Sequence, residues 1–189
     1  KGRPLIVGGL SDRGVVAACS YETRKFGVHS GMAMKVAKRL CPHATYIRGD
    51  ASVYIRHSEV VTEIIKSQVP TFEKASVDEF YADLTGMDRF FGVRKFAHEL
   101  RETIIKESGL PISFGLSPNK IVSKIATGEA KPNAEKYIEA GEERGFLAPL
   151  EVNKIPMIGS KTFQALLNLG VRKIRTIQEM PVEMLESVL

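Results

Sequence analysis

Prolines and glycines cut this chain of 189 residues into short pieces, and that punctuation limits its fold more than any other feature. Proline removes a backbone donor and disfavours helix in the residue before it, so Pro42, Pro70 and Pro132 each end a helical pattern. Helical periodicity survives in two long stretches. Residues 51–69 carry Tyr54, Ile55, Val60, Val61, Ile64 and Ile65 at helical spacing. Residues 93–108 set Phe96, Ala97, Leu100, Ile104 and Ile105 on one face and close at Gly109, a C-terminal glycine. A short helix is predicted over 35–40, and another to 130 with Ser117 as N-cap and Pro118 at its first position. Strands are predicted at 4–9, 14–20, 45–47, around 74–76, at 80–84 and at 112–116, with Asp88 in a turn before a core pair, Phe90 and Phe91. From residue 147 onward the pattern is helix-rich, so the chain reads as α+β with a boundary near residue 140.

Lys and Arg number 27 against 22 Asp and Glu, giving a net charge of +5, which leans towards a polyanionic partner. Cys19 and Cys41 have neither metal-type spacing nor a redox pair, so two small core thiols in a reducing compartment is the simpler reading. His29, His43, His57 and His98 form no pair at i, i+4 and read as structural or surface residues. No apolar run approaches the roughly 20 residues that span a bilayer, and no secretory signal opens the chain, so a soluble, cytoplasmic protein without membrane contact is expected. The sequence starts without Met, enters a strand almost at once and stops inside an apparent helix, as a fragment of a longer protein would.

Ser76-Val77-Asp78-Glu79-Phe80-Tyr81-Ala82-Asp83-Leu84 sets two neighbouring carboxylates in a run that otherwise favours a strand. Hard oxygen ligands for divalent cations would explain them, and so would a solvated hairpin tip. Asp83 suits either a further site carboxylate or a strand exit. Tyr21-Glu22-Thr23-Arg24-Lys25-Phe26-Gly27-Val28 combines a forked cation with an aromatic hydroxyl, chemistry that fits a triphosphate as well as a basic surface loop. Lys131 could point an ammonium at the same anion or simply complement a helix C-terminus. The stretch from Val152 to Val171, with Ile155-Pro156-Met157-Ile158-Gly159-Ser160-Lys161 at its centre, suggests a tight turn between helices able to grip a phosphodiester, or an ordinary helical hairpin.

In this order, with Ser30-Gly31-Met32 and the segment from Ser117-Pro118-Asn119-Lys120 to Ala130-Lys131-Pro132-Asn133, these motifs resemble the Y-family lesion-bypass DNA polymerases, most closely their DinB (DNA polymerase IV) branch. The resemblance implies a ferredoxin-like palm with an incomplete sheet from residues 1–9 and 75–140. It adds a small α+β fingers domain from 10–74 and a helical thumb from 141–189, with a helix-hairpin-helix at about 152–171. Asp78 and Glu79 would be catalytic carboxylates of a two-Mg²⁺ site, Tyr21, Arg24 and Lys131 would contact the triphosphate, and Ala17 and Cys19 would roof the nascent base pair. Ile158, Gly159 and Lys161 would hold the backbone of primer-template DNA. The implied reaction is attack of a primer 3′-hydroxyl on the α-phosphate of a dNTP during translesion synthesis after DNA damage.

The family's first palm strand, with its Asp-x-Asp pair, is not in this sequence. Nor are the little finger and the tail that meets a sliding clamp. Met157 stands where the hairpin usually has glycine, which predicts a distorted turn. The fragment alone is therefore expected to be inactive and prone to self-association at an open sheet edge. Two other readings are a non-enzymatic helix-hairpin-helix DNA-binding module on an α+β domain and a nucleotidyl cyclase-like palm. Neither accounts for Tyr21, Arg24 and Lys131 together.

Overall fold

A computed structural model describes residues 2–87 and 92–186; the expectations for Asp88, Phe90 and Phe91 fall outside them. The architecture is α+β, built from small sheets and helices in two compact units, Lys1–Arg56 and His57–Leu189. No helix among the described residues is long and apolar enough to cross a membrane.

In the first unit β1 (Leu5–Gly8) is the middle strand of three. It pairs antiparallel with β2 (Val16–Cys19) and parallel with β3 (Thr45–Ile47). The sequence reading grouped residues 1–9 with 75–140, but these backbone bonds tie β1 to the segment expected as fingers. Ile6, Val16, Val28, Met34, Ala37 and Cys41 form the core, with α2 (Met34–Leu40) supplying two of them. The predicted strand over 14–20 is shorter at its start because Gly14 is pressed against Gly9: a Cβ there would lie 2.0 Å from the Gly9 carbonyl oxygen. Cys19 and Cys41 are both free thiols, and both pack in this core, as the cysteine spacing suggested.

α3 (Ala51–Gln68) ends against Pro70, and within the second unit Val61, Ile64 and Ile65 pack with Leu100 and Ile104 of α4 (Val93–Ser108). Both helices span what their apolar stripes predict. α4 closes at Gly109, left-handed at φ 70°. β4 (Thr71–Lys74) and β5 (Phe80–Asp83) form an antiparallel hairpin over this core. β4 stops before Ala75 because the N–H groups of Ala75 and Ser76 both donate to the Glu79 carbonyl and close the turn.

β6 (Phe114–Leu116), α5 (Lys120–Ala130) and β7 (Glu135–Tyr137) make a parallel β-α-β unit. Gly115 lets α5 lie close on β6, since a Cβ there would come within 2.4 Å of the Ser123 carbonyl oxygen. The α5 N-cap is Asn119, not Ser117: its side chain accepts from the Val122 N–H at 2.9 Å. Ser117 instead accepts from the Asn119 N–H and meets the Ser123 hydroxyl. β6 begins later than predicted because the Ile112 carbonyl is taken by Arg101 Nε.

Beyond α6 (Glu143–Leu147), a single 3₁₀ turn at Val152–Lys154 leads to α7 (Ser160–Asn168), α8 (Ile174–Glu179) and α9 (Val182–Glu186). Val152, Leu166, Val171 and Ile174 form their core.

Candidate active site

The β4–β5 hairpin puts Asp78 in its connecting turn and Glu79 at the threshold of β5. Ser76 donates its hydroxyl to Asp78 Oδ1 at 2.8 Å, which orders the exposed carboxylate on its own loop. Glu79 is half-buried and accepts from Lys124 of α5, with Nζ 2.6 Å from Oε2. The bond to Glu79 raises the Lys124 ammonium above its ordinary value; burial opposes this, and the charges of Glu79, Tyr81 and Asp78 add to it. One helical turn earlier, Lys120 pairs with Glu73 and lies over the Tyr81 ring at 5.4 Å. Two lysines at i, i+4 thus face the hairpin.

Asp83 closes the other end of β5, about 13 Å along the strand from Glu79. Its Oδ1 accepts from the Thr85 N–H, and the Thr85 side chain and backbone hold the carboxyl below its ordinary range. Of the two readings, the strand exit fits.

Lys131 is the exposed C-cap of α5, followed by a cis Lys131–Pro132 bond and by Asn133 at φ 48°. Arg101, buried to 8 % exposure, reaches this turn from α4: one guanidinium nitrogen lies 3.0 Å from the Asn133 carbonyl and 2.9 Å from its Oδ1. Arg101 also meets Glu102 and Glu135, while His98 Nδ1 lies 2.7 Å from Glu135 Oε1 and the Tyr137 hydroxyl donates to the same carboxylate. Burial alone would raise the Glu135 carboxyl, but the bonds from Tyr137 and His98 and the charges of His98 and Arg101 leave it below its ordinary value. Burial and the Glu135 bond push the Tyr137 hydroxyl up to about 12. His98, Glu102 and Glu135 have ligand atoms within 4.8 Å of one another, spacing that could suit a metal ion. The Arg101 guanidinium already serves those carboxylates.

In the first unit, α1 (Tyr21–Arg24) brings Tyr21 and Arg24 together, the guanidinium 5.4 Å from the ring centroid and both residues exposed. Buried Thr23 pins the turn through its hydroxyl to the Ser20 carbonyl at 2.8 Å. Ala17 lines a cavity of about 290 Å³ with Gly8, Gly9, Val15, Arg48, Gly49, Ala51 and Tyr54. Cys19 does not share it. The register slips between Val7 and Gly8, whose partners are Ala18 and Val16, so Ala17 is the extra residue of a bulge. The period of two breaks there, and Cys19 turns towards the core, its thiol 3.5 Å from the Val28 carbonyl.

In the C-terminal segment the Ile158 N–H donates to the Ile155 carbonyl at 3.2 Å, so the turn is formed. Met157 takes φ 71° in it, fully exposed, a conformation that costs a non-glycine residue about 1–2 kcal/mol. The turn therefore forms with its strain held in the backbone at Met157. Ile158 packs into the core, leaving its backbone as its polar contribution, while Gly159 is the N-cap of α7 and Lys161 is exposed on its first turn. Sequence reasoning missed Lys124 and Arg101. The i, i+4 spacing of Lys120 and Lys124 could have signalled the first, but nothing local signals the second.

The acidic hairpin is the part of this arrangement that the motif order led us to expect, and comparison with known proteins gives the whole a class. The impB/mucB/samB family model matches residues 1–128, and the chain belongs to that family, as a DinB-type member of the Y-family polymerases. A DNA polymerase IV of Dehalococcoides mccartyi is 42% identical over 100% of this chain, and one of Treponema denticola is 41% identical, also over 100%. The chain spans 49% and 48% of their lengths, about half of the curated relatives it matches. Among solved structures, the crystal structure of DinB from Sulfolobus solfataricus has a TM-score of 0.89 at 32% identity, over 99% of this chain and 56% of that one. An insertion ternary complex of Dbh DNA polymerase has a TM-score of 0.86, also at 32% identity, over 99% of this chain and 56% of its own.

Proposed function

We propose that this chain is the catalytic portion of a translesion DNA polymerase that adds dNTPs to a primer 3′-end on a DNA template. The observation that carries the reading is the Asp78–Glu79 pair at the mouth of an ordered hairpin, in a chain that the family model matches over that segment. The donor set fits a divalent ion such as Mg²⁺: both side chains offer hard carboxylate oxygens, one exposed and one half-buried, and Glu79 already attracts an ammonium. Asp78 and Glu79 would hold the ions of a two-metal site. Ions bound there would supply charge stabilisation to the attacking hydroxyl and the leaving pyrophosphate.

This chain's own residues do the positioning. Tyr21 and Arg24, stacked on α1, present a phenolic hydroxyl and a guanidinium fork as a unit suited to phosphate oxygens. Lys131 presents its ammonium from a turn that buried Arg101 fixes. Ala17, small and bulged outwards, leaves its cavity open for a base pair, with Arg48 and Tyr54 on the rim. In this reading the three-stranded sheet belongs to the fingers, the β4–β5 hairpin and β-α-β unit to the palm, and the segment from about 141 to the thumb. There the turn at Ile155–Ile158 and α7 would act as a helix-hairpin-helix, gripping duplex backbone through main-chain N–H groups and Lys161. The two free thiols suit a reducing cytoplasm.

Primer extension by the full-length protein tests this. Asp78→Ala and Glu79→Ala should each lower the rate at least about a hundredfold with folding intact, by loss of charge stabilisation. Extension by either variant at the unmodified rate would overturn the assignment.

A further inference from the structure

Lys124 lies on the helix that backs the acidic pair, and its ammonium is 2.6 Å from the Glu79 carboxylate that the proposed function needs for a metal ion. Its neighbour one turn away, Lys120, is engaged with Glu73 and the Tyr81 ring, so the two lysines have separate partners. Only the Lys124 contact falls on the metal-binding pair. Adjacent carboxylates repel, and among the described residues the Asp78 side chain accepts from its own Ser76 hydroxyl alone, so a cation at Glu79 relieves the pair. An ammonium is a compact point charge on a flexible stem, able to leave when a divalent ion arrives.

We propose that Lys124 is a resident counter-cation of the acidic pair, a positioning residue that orders Glu79 and that a divalent ion must displace from it. The inference rests on the reading of Asp78 and Glu79 as metal ligands and extends it to a competitor on α5. It also gives a sign that mere packing would not. If Lys124 only braced α5 against the hairpin, removing it would loosen Glu79 and weaken metal binding or leave it alone. If Lys124 competes, removing it strengthens metal binding.

The test is Mn²⁺ binding to the full-length protein, followed by electron paramagnetic resonance in low salt, with circular dichroism to establish that each variant is folded. Lys124→Met should bind Mn²⁺ about three- to tenfold more tightly, since a unit charge a few ångströms from a divalent ion is removed from a partly solvated site. Lys124→Arg should stay near the unmodified affinity, and the gain should shrink as salt is added. An affinity in Lys124→Met that is unchanged or weaker, or no binding by either protein at millimolar Mn²⁺, would overturn the inference. Glu79→Gln separates the two levels. If it weakens Mn²⁺ binding while Lys124→Met matches the unmodified chain, only the role of Lys124 fails; if it changes nothing, the metal reading of the pair fails with it.

Discussion

Two carboxylate clusters in the second unit use the same ingredients to different ends. At β7, Glu135 is met by Tyr137, His98 and Arg101, and the guanidinium itself is buried and bonded to the carbonyls of Ile112 and Asn133. At the hairpin, Glu79 has one ammonium, about 40% exposed, and Asp78 sits in water with its own loop hydroxyl. The first cluster is saturated: its cation is held by backbone that cannot move without breaking the β-α-β unit. The second is held by one flexible side chain at the surface. The proposed binding and release of ions suits the second arrangement, and the proposed placing of Lys131 by its turn suits the first.

The largest test of that contrast is Arg101→Met. Removing this cation takes the donor from the Ile112 and Asn133 carbonyls and a charge from Glu135, so chemical unfolding should show a loss of about 3 kcal/mol. A loss below about 1 kcal/mol would mean that the β7 cluster is no more structural than the hairpin. Glu135→Gln should cost about 1 kcal/mol at neutral pH through its weakened hydrogen bonds. Because the Glu135 carboxyl is held below its ordinary 4.5 when folded, its stabilisation is present above that value and fades as pH falls through the lower folded one. Thermal melts should therefore show a flatter acid limb in Glu135→Gln than in the unmodified chain, and parallel limbs would refute the contribution. Smallest of all, Lys124→Met should change unfolding free energy by less than about 0.5 kcal/mol, as exposed pairs do. A cost as large as that of Arg101→Met would erase the distinction.

Much of the scaffold was legible because its signals are local. The apolar stripes of α3 and α4, stopped by Pro70 and Gly109, gave both helices to within a residue. The hairpin could be read because β-favouring residues flank a polar turn. β7 could not: Glu135-Lys136-Tyr137 is three residues without apolar alternation, and its partner lies across α5. The α5 start was misread by two residues because Ser117 and Asn119 are both capable caps, and only the helix axis selects the one whose oxygen reaches the Val122 N–H. Ala17 and Cys19 were grouped through the family resemblance, and the bulge that turns Cys19 towards the core could not be read from two small residues.

By itself the sequence determined the long helices and most of the strands, that two carboxylates stand together at a hairpin, and which family the chain resembles. These follow from propensity, periodicity and adjacent residues, properties that short stretches carry without help. Tertiary structure alone decided that β1 joins β2 and β3, that Lys124 lies against Glu79, and that Arg101 fixes the turn bearing Lys131. The two charge contacts join residues tens of positions apart, and whether a charge meets a counter-charge across that distance depends on how elements pack, which no local pattern records.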